Sequence, residues 1–186
     1  MPTIQGKRVA FLATDGVEQV ELDRPWQAVT EAGGRPELVS LEPGEIQAFN
    51  HLDKADRKHV DTAIDDADAG AYDALVLPGG VANGDFVRAD ERAVRFVKEF
   101  VTGGKPVAVI CHGGWVLAEA DVVRGRTMTS WPSLQTDLRN AGATWVDEEV
   151  VVEDGLVSSR TPDDLPAFNA KVVEEIAEGR HSAQSA

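Results

Sequence analysis

In 186 residues the chain has one cysteine, Cys111, so no intrachain disulfide can form and nothing in the sequence calls for an oxidising compartment. Positive charge is scarce as well. Eighteen Lys and Arg against 32 Asp and Glu leave a formal net charge of −14, which repels phosphate backbones and anionic headgroups and argues against nucleic acid or a membrane surface as partner. Small molecules and other proteins remain. No apolar stretch approaches the roughly 18 residues that a membrane span requires. The opening MPTIQGKRVAFLAT also lacks a charged segment followed by a long apolar one, so a cytoplasmic protein is expected. The glycine-rich segments carry neither the Lys-Ser/Thr of a phosphate-binding loop nor a dinucleotide fingerprint, and no cofactor is expected. His51, Asp53, Asp56, His59 and Asp61 match no metal-ligand spacing and read as a solvated loop, so no metal is expected either.

What is present is an alternation of strand-length apolar runs with segments of helical period, the pattern of a largely parallel sheet covered on both faces. Residues 8–13 (RVAFLA) form the first strand, and Val20, Pro25, Ala28 and Val29 place a helix that stops at Gly33-Gly34. Leu38 to Leu41 is the second strand. Residues 43–70 are polar with weak periodicity and read as an excursion holding a short hairpin. Ala74 to Leu77 is a buried strand ending in Pro78-Gly79-Gly80, and Asp90 to Thr102 is a helix with Val94, Val97 and Val101 inward. Val107 to Ile110 is a central strand that runs into Cys111-His112-Gly113-Gly114, and a helix follows through Leu117 and Ala118. Val150 to Val152 and Leu156 to Ser158 flank an Asp-Gly turn and pair antiparallel. The last helix starts at Thr161-Pro162-Asp163-Asp164, where a hydroxyl cap, a proline and two carboxylates suit its first turn. One domain is expected, with its core over about 7–179 and a frayed tail at 180–186.

In such a sheet ligands bind at the carboxyl ends of the strands, which brings residues 14–21, 78–85 and 111–115 together as the candidate site. A thiol there meets the N-terminal end of the next helix, where the dipole favours thiolate. Gly113 and Gly114 permit the sharp turn that lifts a nucleophile out of a sheet. An inert buried thiol remains an equally simple account of a lone cysteine after a buried strand. Glu18 and Glu21 read as two acids on one helical turn, and Gly79-Gly80 as a tight turn after a strand. Trp26, Trp115 and Trp145 read as packing residues, with Trp115 placed to wall a pocket beside the elbow.

The segments DGVEQVEL, YDALVLPGG, GKPVAVICHGG and VRGRTMTSWPSLQTDLRNAGATWVDEEVVVEDGLVSSRTPDDLPAF together resemble the ThiJ/PfpI superfamily, in its PfpI-like bacterial branch, over nearly the whole chain. The resemblance implies a flavodoxin-like three-layer sandwich with Cys111 at a nucleophile elbow and Glu21 as its partner carboxyl. It further implies backbone N–H groups of Gly80 and His112 around an oxyanion, with Gly79 in the same loop, and His112 as base, completed in some members by an acid from a neighbouring subunit. Asp85 is the nearest candidate for that acid. The sequence departs from the peptidase-like pattern where Gly84-Asp85 replaces a glutamate, Gly114 a proline and Trp131 a tyrosine; Trp131 shapes a pocket but offers no hydroxyl. Three functions are open to one thiol: glyoxalase or deglycase chemistry on reactive carbonyls and their protein adducts, peptide hydrolysis, or non-enzymatic redox sensing and client protection. The resemblance also suggests a homodimer or larger homo-oligomer.

Overall fold

The computed structural model describes residues 2–181. Strand β1 (Arg8–Leu12) is buried from Val9 onward. A short β2 (Val17–Glu18) leads into helix α1 (Gln19–Glu31), which turns Leu22, Pro25 and Val29 inward and ends just before Gly33 at φ +90°. Strand β3 (Arg35–Ser40) begins earlier than the expected Leu38, because its first half is incompletely buried and reads as polar. The excursion holds a full hairpin, in which β4 (Glu45–Asn50) pairs antiparallel with β5 (Asp53–His59) and parallel with β2. Strand β5 reads DKADRKH and is mostly exposed, so no apolar alternation announces it. After β6 (Thr62–Ala63) comes β7 (Ala74–Leu77), buried throughout as expected.

Helix α2 (Val81–Ala89) has no counterpart in the sequence reading, since Asn83, Gly84 and Asp85 at its centre are poor helix formers. Helix α3 (Glu91–Thr102) is capped by Asp90, whose carboxylate accepts from the Arg92 and Ala93 N–H groups. It buries Ala93, Phe96, Val97, Phe100 and Val101, while Val94 is only partly covered. Strand β8 (Val107–Ile110) gives way to a 3-10 turn over Cys111–Gly113 and then to helix α4 (Gly114–Glu119). Strands β9 (Thr127–Met128) and β10 (Thr144–Trp145) pair on either side of helix α5 (Gln135–Asn140). Strands β11 (Val150–Glu153) and β12 (Leu156–Ser159) form the expected hairpin, with Asp154 and Gly155 both at positive φ.

Among the described residues the main sheet has seven strands in the order β11-β12-β8-β7-β1-β3-β6, and only β11 runs antiparallel to its neighbour. One face is covered by α1 and helix α6 (Leu165–Glu178) through Leu22, Val29, Phe168, Val172 and Ile176. The other is covered by α3, α4 and α5 through Phe96, Phe100, Leu117 and Leu138, with Leu134 from the 3-10 turn before α5. This is the α/β flavodoxin-like three-layer sandwich. From β1 the chain proceeds to β3 on one side, and it later returns to β7 on the other. The carboxyl ends of β1 and β7 therefore flank the crevice where such sheets bind ligands. No helix among the described residues is long and apolar enough to cross a membrane.

At the tail, His181 is tied down: its N–H donates to the Gly104 carbonyl at 2.9 Å. The remainder of the segment expected to fray, residues 182–186, lies outside the described residues. The start of the last helix is as expected in kind, with Thr161 and Asp164 forming a reciprocal capping box ahead of α6. The buried Asp164 carboxylate also takes Nε and Nη2 of Arg160, each at 2.9 Å. Asp164→Ala should cost about 2–4 kcal/mol, because it strands the Arg160 fork and two backbone donors together. Urea unfolding of the variant against the parent measures this directly.

Candidate active site at the end of the central strands

Strand β8 is buried along its whole length, so the next residue emerges at the carboxyl edge of the sheet. That residue, Cys111, takes φ +60°, in the left-handed region that side-chain-bearing residues rarely adopt. The conformation has a direct consequence: the thiol and its sequence neighbour His112 point to the same side, with Sγ 3.2 Å from Nδ1. Three glycines make the bend sterically feasible. A Cβ on Gly113 would lie 2.7 Å from the Leu77 carbonyl oxygen, and one on Gly84 would lie 2.7 Å from that of His112, so the elbow presses against both β7 and α2. A Cβ on Gly79 would collide with Cys111 Cβ and the Glu21 carboxyl.

Glu21 enters the site from the first turn of α1 and is fully buried. Its carboxyl lies against the thiol and the Gly79 backbone without closing a well-aligned hydrogen bond to either. Burial, reinforced by the nearby Glu18 carboxylate, pushes Glu21 up to about 8, so the group is a neutral acid at pH 7. Burial pushes the Cys111 thiol up as well, and an ionised Glu21 acts in the same direction. The Gly80 and His112 N–H groups pull it down and are outweighed. The lowered thiol expected from the helix end is therefore not what the geometry gives. Cys111 is only 6% exposed, and it is succeeded by one 3-10 turn and a six-residue helix rather than a long dipole. Burial also lowers the His112 imidazole and leaves it neutral. Thiol, imidazole and carboxyl thus rest side by side without charge.

The His112 ring is held in an aromatic slot. Trp115 meets it edge-on at 5.1 Å and Trp131 stacks on it at 5.6 Å. Trp115 is fixed in turn by its indole N–H donating to Asp137 and by the Arg88 guanidinium over its ring. Gly80, at φ +97°, approaches the Gly16 carbonyl so closely that no side chain fits, which docks the β7 turn onto the segment after β1. The structure brings together Cys111, His112, Glu21, Gly79 and Gly80. It sets Asp85, Trp115 and Trp131 on the wall of the same cleft, a cavity of about 690 Å3 open to solvent. Asp85 is exposed on α2, and among the described residues no carboxylate pairs with His112.

Sequence reasoning missed two contributors. Asn83 is buried and accepts from the Thr14 N–H while donating to the Pro78 and Gly79 carbonyls, so one amide stitches the loops after β1 and β7 together. Its only sequence signal is a polar residue within the candidate segment 78–85. The β4–β5 hairpin supplies Phe49, His51 and Leu52 to the cleft mouth, with the His51 N–H donating to Glu18. His51 and His59 belong to this hairpin rather than to a loop.

A buried acid raised from 4.5 to about 8 makes stability depend on pH in a defined window. Between those values the unfolded chain releases the Glu21 proton and the native chain keeps it. Stability is therefore full below the window, falls as pH rises through it, and levels off above about 8. Glu21→Gln should remove a fall on the order of 4 kcal/mol from the difference between pH 5 and pH 9. Urea melts of both proteins at several pH values test this, and parallel curves would refute the neutral-carboxyl assignment.

The chain matches the DJ-1/PfpI family over residues 7–175. It is 45% identical over 163 residues to the Bacillus subtilis protein named "Putative cysteine protease YraA", covering 88% of this chain and 94% of that one. It is 42% identical over 168 residues to protein/nucleic acid deglycase 2 of Escherichia coli, covering 90% and 96%. Among solved structures it superposes with a TM-score of 0.86 and 33% identity on a protein of Anabaena variabilis that joins a DJ-1/ThiJ/PfpI-like domain to a ferritin-like one. That match covers 91% of this chain and 48% of the other. With a buried thiol on a strained turn at the carboxyl edge of a parallel sheet, and a glutamate from the first helix against it, this chain belongs to the DJ-1/PfpI family.

Proposed function

We propose that this chain is a stress-protection enzyme that uses Cys111 to convert reactive carbonyls, or the adducts they leave on proteins, by glyoxalase or deglycase chemistry without a cofactor. The observation that carries this reading is the neutral thiol–imidazole pair on the cleft floor, at 3.2 Å, with the Gly80 and His112 N–H groups directed at the sulfur. The thiol gives its proton to His112 as sulfur bonds to the aldehyde carbon. The carbonyl electron pair moves onto oxygen, which the two N–H groups stabilise until it takes up a proton. With methylglyoxal, His112, neutral again once it has handed the thiol proton to that oxygen, then carries the proton on the first carbon to the second, which turns the hemithioacetal into a lactoyl thioester. Water cleaves that thioester to lactate and restores the thiol, so the net change is addition of one water.

The rim fits substrates larger than a free aldehyde. Leu52, Val81, Phe86 and Trp131 are exposed large apolar side chains, and all four border this cleft. Such a patch accommodates a protein segment carrying a carbonyl adduct, and it equally suits a second copy of the chain, which would set Asp85 in the interface. A homodimer or larger assembly is accordingly part of the proposal. Light scattering should give a multiple of the 20.0 kDa chain mass for the parent and a smaller particle for Phe86→Asp.

The decisive assay incubates the purified protein and Cys111→Ser with methylglyoxal, without glutathione, and follows aldehyde loss and lactate. The parent should form lactate and the variant should lose at least about 1,000-fold in rate, as expected for removal of a nucleophile. Equal turnover by both proteins, or none by either, would sink the carbonyl reading. Peptide hydrolysis by the same thiol would then be tested on an unfolded protein, again against Cys111→Ser.

A further inference from the structure

A second cluster of ligand-type side chains lies at the opposite edge of the sheet from Cys111, where α6 ends. Glu175 and Glu178 stand one turn apart on the last turns of the helix. Gly179, at φ +84°, ends the helix and turns the chain, and His181 folds back over it. The imidazole has room because Gly155 has no side chain: a Cβ there would lie 2.8 Å from Cδ2 of the ring. The His181 N–H to Gly104 fixes the backbone of the same residue. One ligand atom from each of the three side chains lies within 4.8 Å of the others.

Proximity of two acids and a histidine is not by itself a site, and a second observation separates this cluster from an ordinary ion pair. Glu175 is only 5% exposed. Its Oε2 and the Nε2 of His181 are 2.9 Å apart, in charge contact when the ring is protonated, yet both atoms are buried and neither completes a hydrogen bond. A buried carboxylate oxygen and a buried imidazole nitrogen that complete no hydrogen bond at this separation match two neighbouring ligands of one cation. With bonds of roughly 2.1 Å and a right angle between them, such atoms sit about 3 Å apart. One imidazole and two carboxylates suit a first-row divalent ion better than calcium, which takes oxygen alone.

We propose that Glu175, Glu178 and His181 form a structural divalent-cation site that clasps the end of α6 onto the turns at Gly104 and Gly155. The site is independent of the cleft chemistry, and one of its three ligands, His181, lies in the segment where the sequence suggested only a loose tail.

The test uses full-length, tag-free protein in the Cys111→Ser background, so that the cleft thiol does not compete for metal. Titration with ZnCl2 in a non-chelating buffer, followed calorimetrically, should show one saturable Zn2+ per chain and a rise in melting temperature. His181→Gln and Glu178→Gln should each weaken binding about tenfold or more. Glu178 is exposed, so its variant keeps the fold, and circular dichroism verifies this for both. No saturable binding below about 1 mM, or unchanged affinity in both variants, would overturn the site and leave a simple carboxylate–imidazole contact.

Discussion

A residue with a side chain held in the left-handed region costs on the order of 1–3 kcal/mol, and Cys111 at φ +60° keeps that conformation only because its surroundings leave no alternative. Strand β8 fixes its incoming direction between β7 and β12, the Trp131 N–H donates to the Cys111 carbonyl, and α2 closes over His112 through Gly84. The positive φ turns two adjacent side chains to one side, so the thiol–imidazole contact is a product of backbone strain. Relaxing the turn would separate Sγ from Nδ1 even with both residues still present. Gly79, Gly84 and Gly113 all serve this one bend, and each lies where a Cβ would strike backbone or the site itself.

The second constraint is electrostatic. In a chain of net charge −14, the deepest position of the site holds a carboxyl that burial and Glu18 keep protonated. Its neutrality matters for Cys111, because an ionised Glu21 would push the thiol further towards its protonated form. Below the Glu21 transition near 8, the only charge that appears during nucleophilic attack is the one the reaction creates. The backbone N–H groups of Gly80 and His112 lie at the sulfur, beside the position where the substrate oxygen takes up negative charge in the proposed addition. In the proposed reaction the thiol proton passes to His112 as sulfur bonds to carbon, so no thiolate is stored at rest.

The apolar runs made the central sheet legible. Residues 74–77 and 107–110 are buried on both faces and contain nothing else, so periodicity and length sufficed, and the Asp-Gly turn fixed the hairpin beyond them. Elements whose stability comes from tertiary contact were not legible. Helix α2 is held by packing on the elbow despite Asn83 and Gly84 in its interior, and β5 is a charged strand whose pairing is decided by β4. In the site, Cys111 and the Gly79-Gly80 turn were readable from the residues, whereas Glu21 was set apart from Glu18 only by the family resemblance, and the direction of His112 was not readable at all. Adjacent side chains normally diverge, and only the sign of φ at Cys111 reverses that. The acidity of the thiol was misjudged for a related reason: a helix dipole can be inferred from sequence, whereas the depth of burial that outweighs it cannot.

The same geometry bears on which bond the proposed nucleophile can break. Addition to an aldehyde expels nothing, so a base that briefly holds the thiol proton is enough. Hydrolysis of an amide must also protonate a poor leaving nitrogen, which calls for an imidazolium oriented and stabilised by a carboxylate. His112 is walled by Trp115 and Trp131, and among the described residues it has no such carboxylate. Asp85 stands at the cleft wall beside the exposed Phe86, on the surface a second copy would cover. Assembly is therefore the variable that could shift the balance between the two chemistries. The proposed carbonyl addition asks only for groups that a single chain carries, whereas peptide hydrolysis would depend on a neighbour to bring an acid to the imidazole.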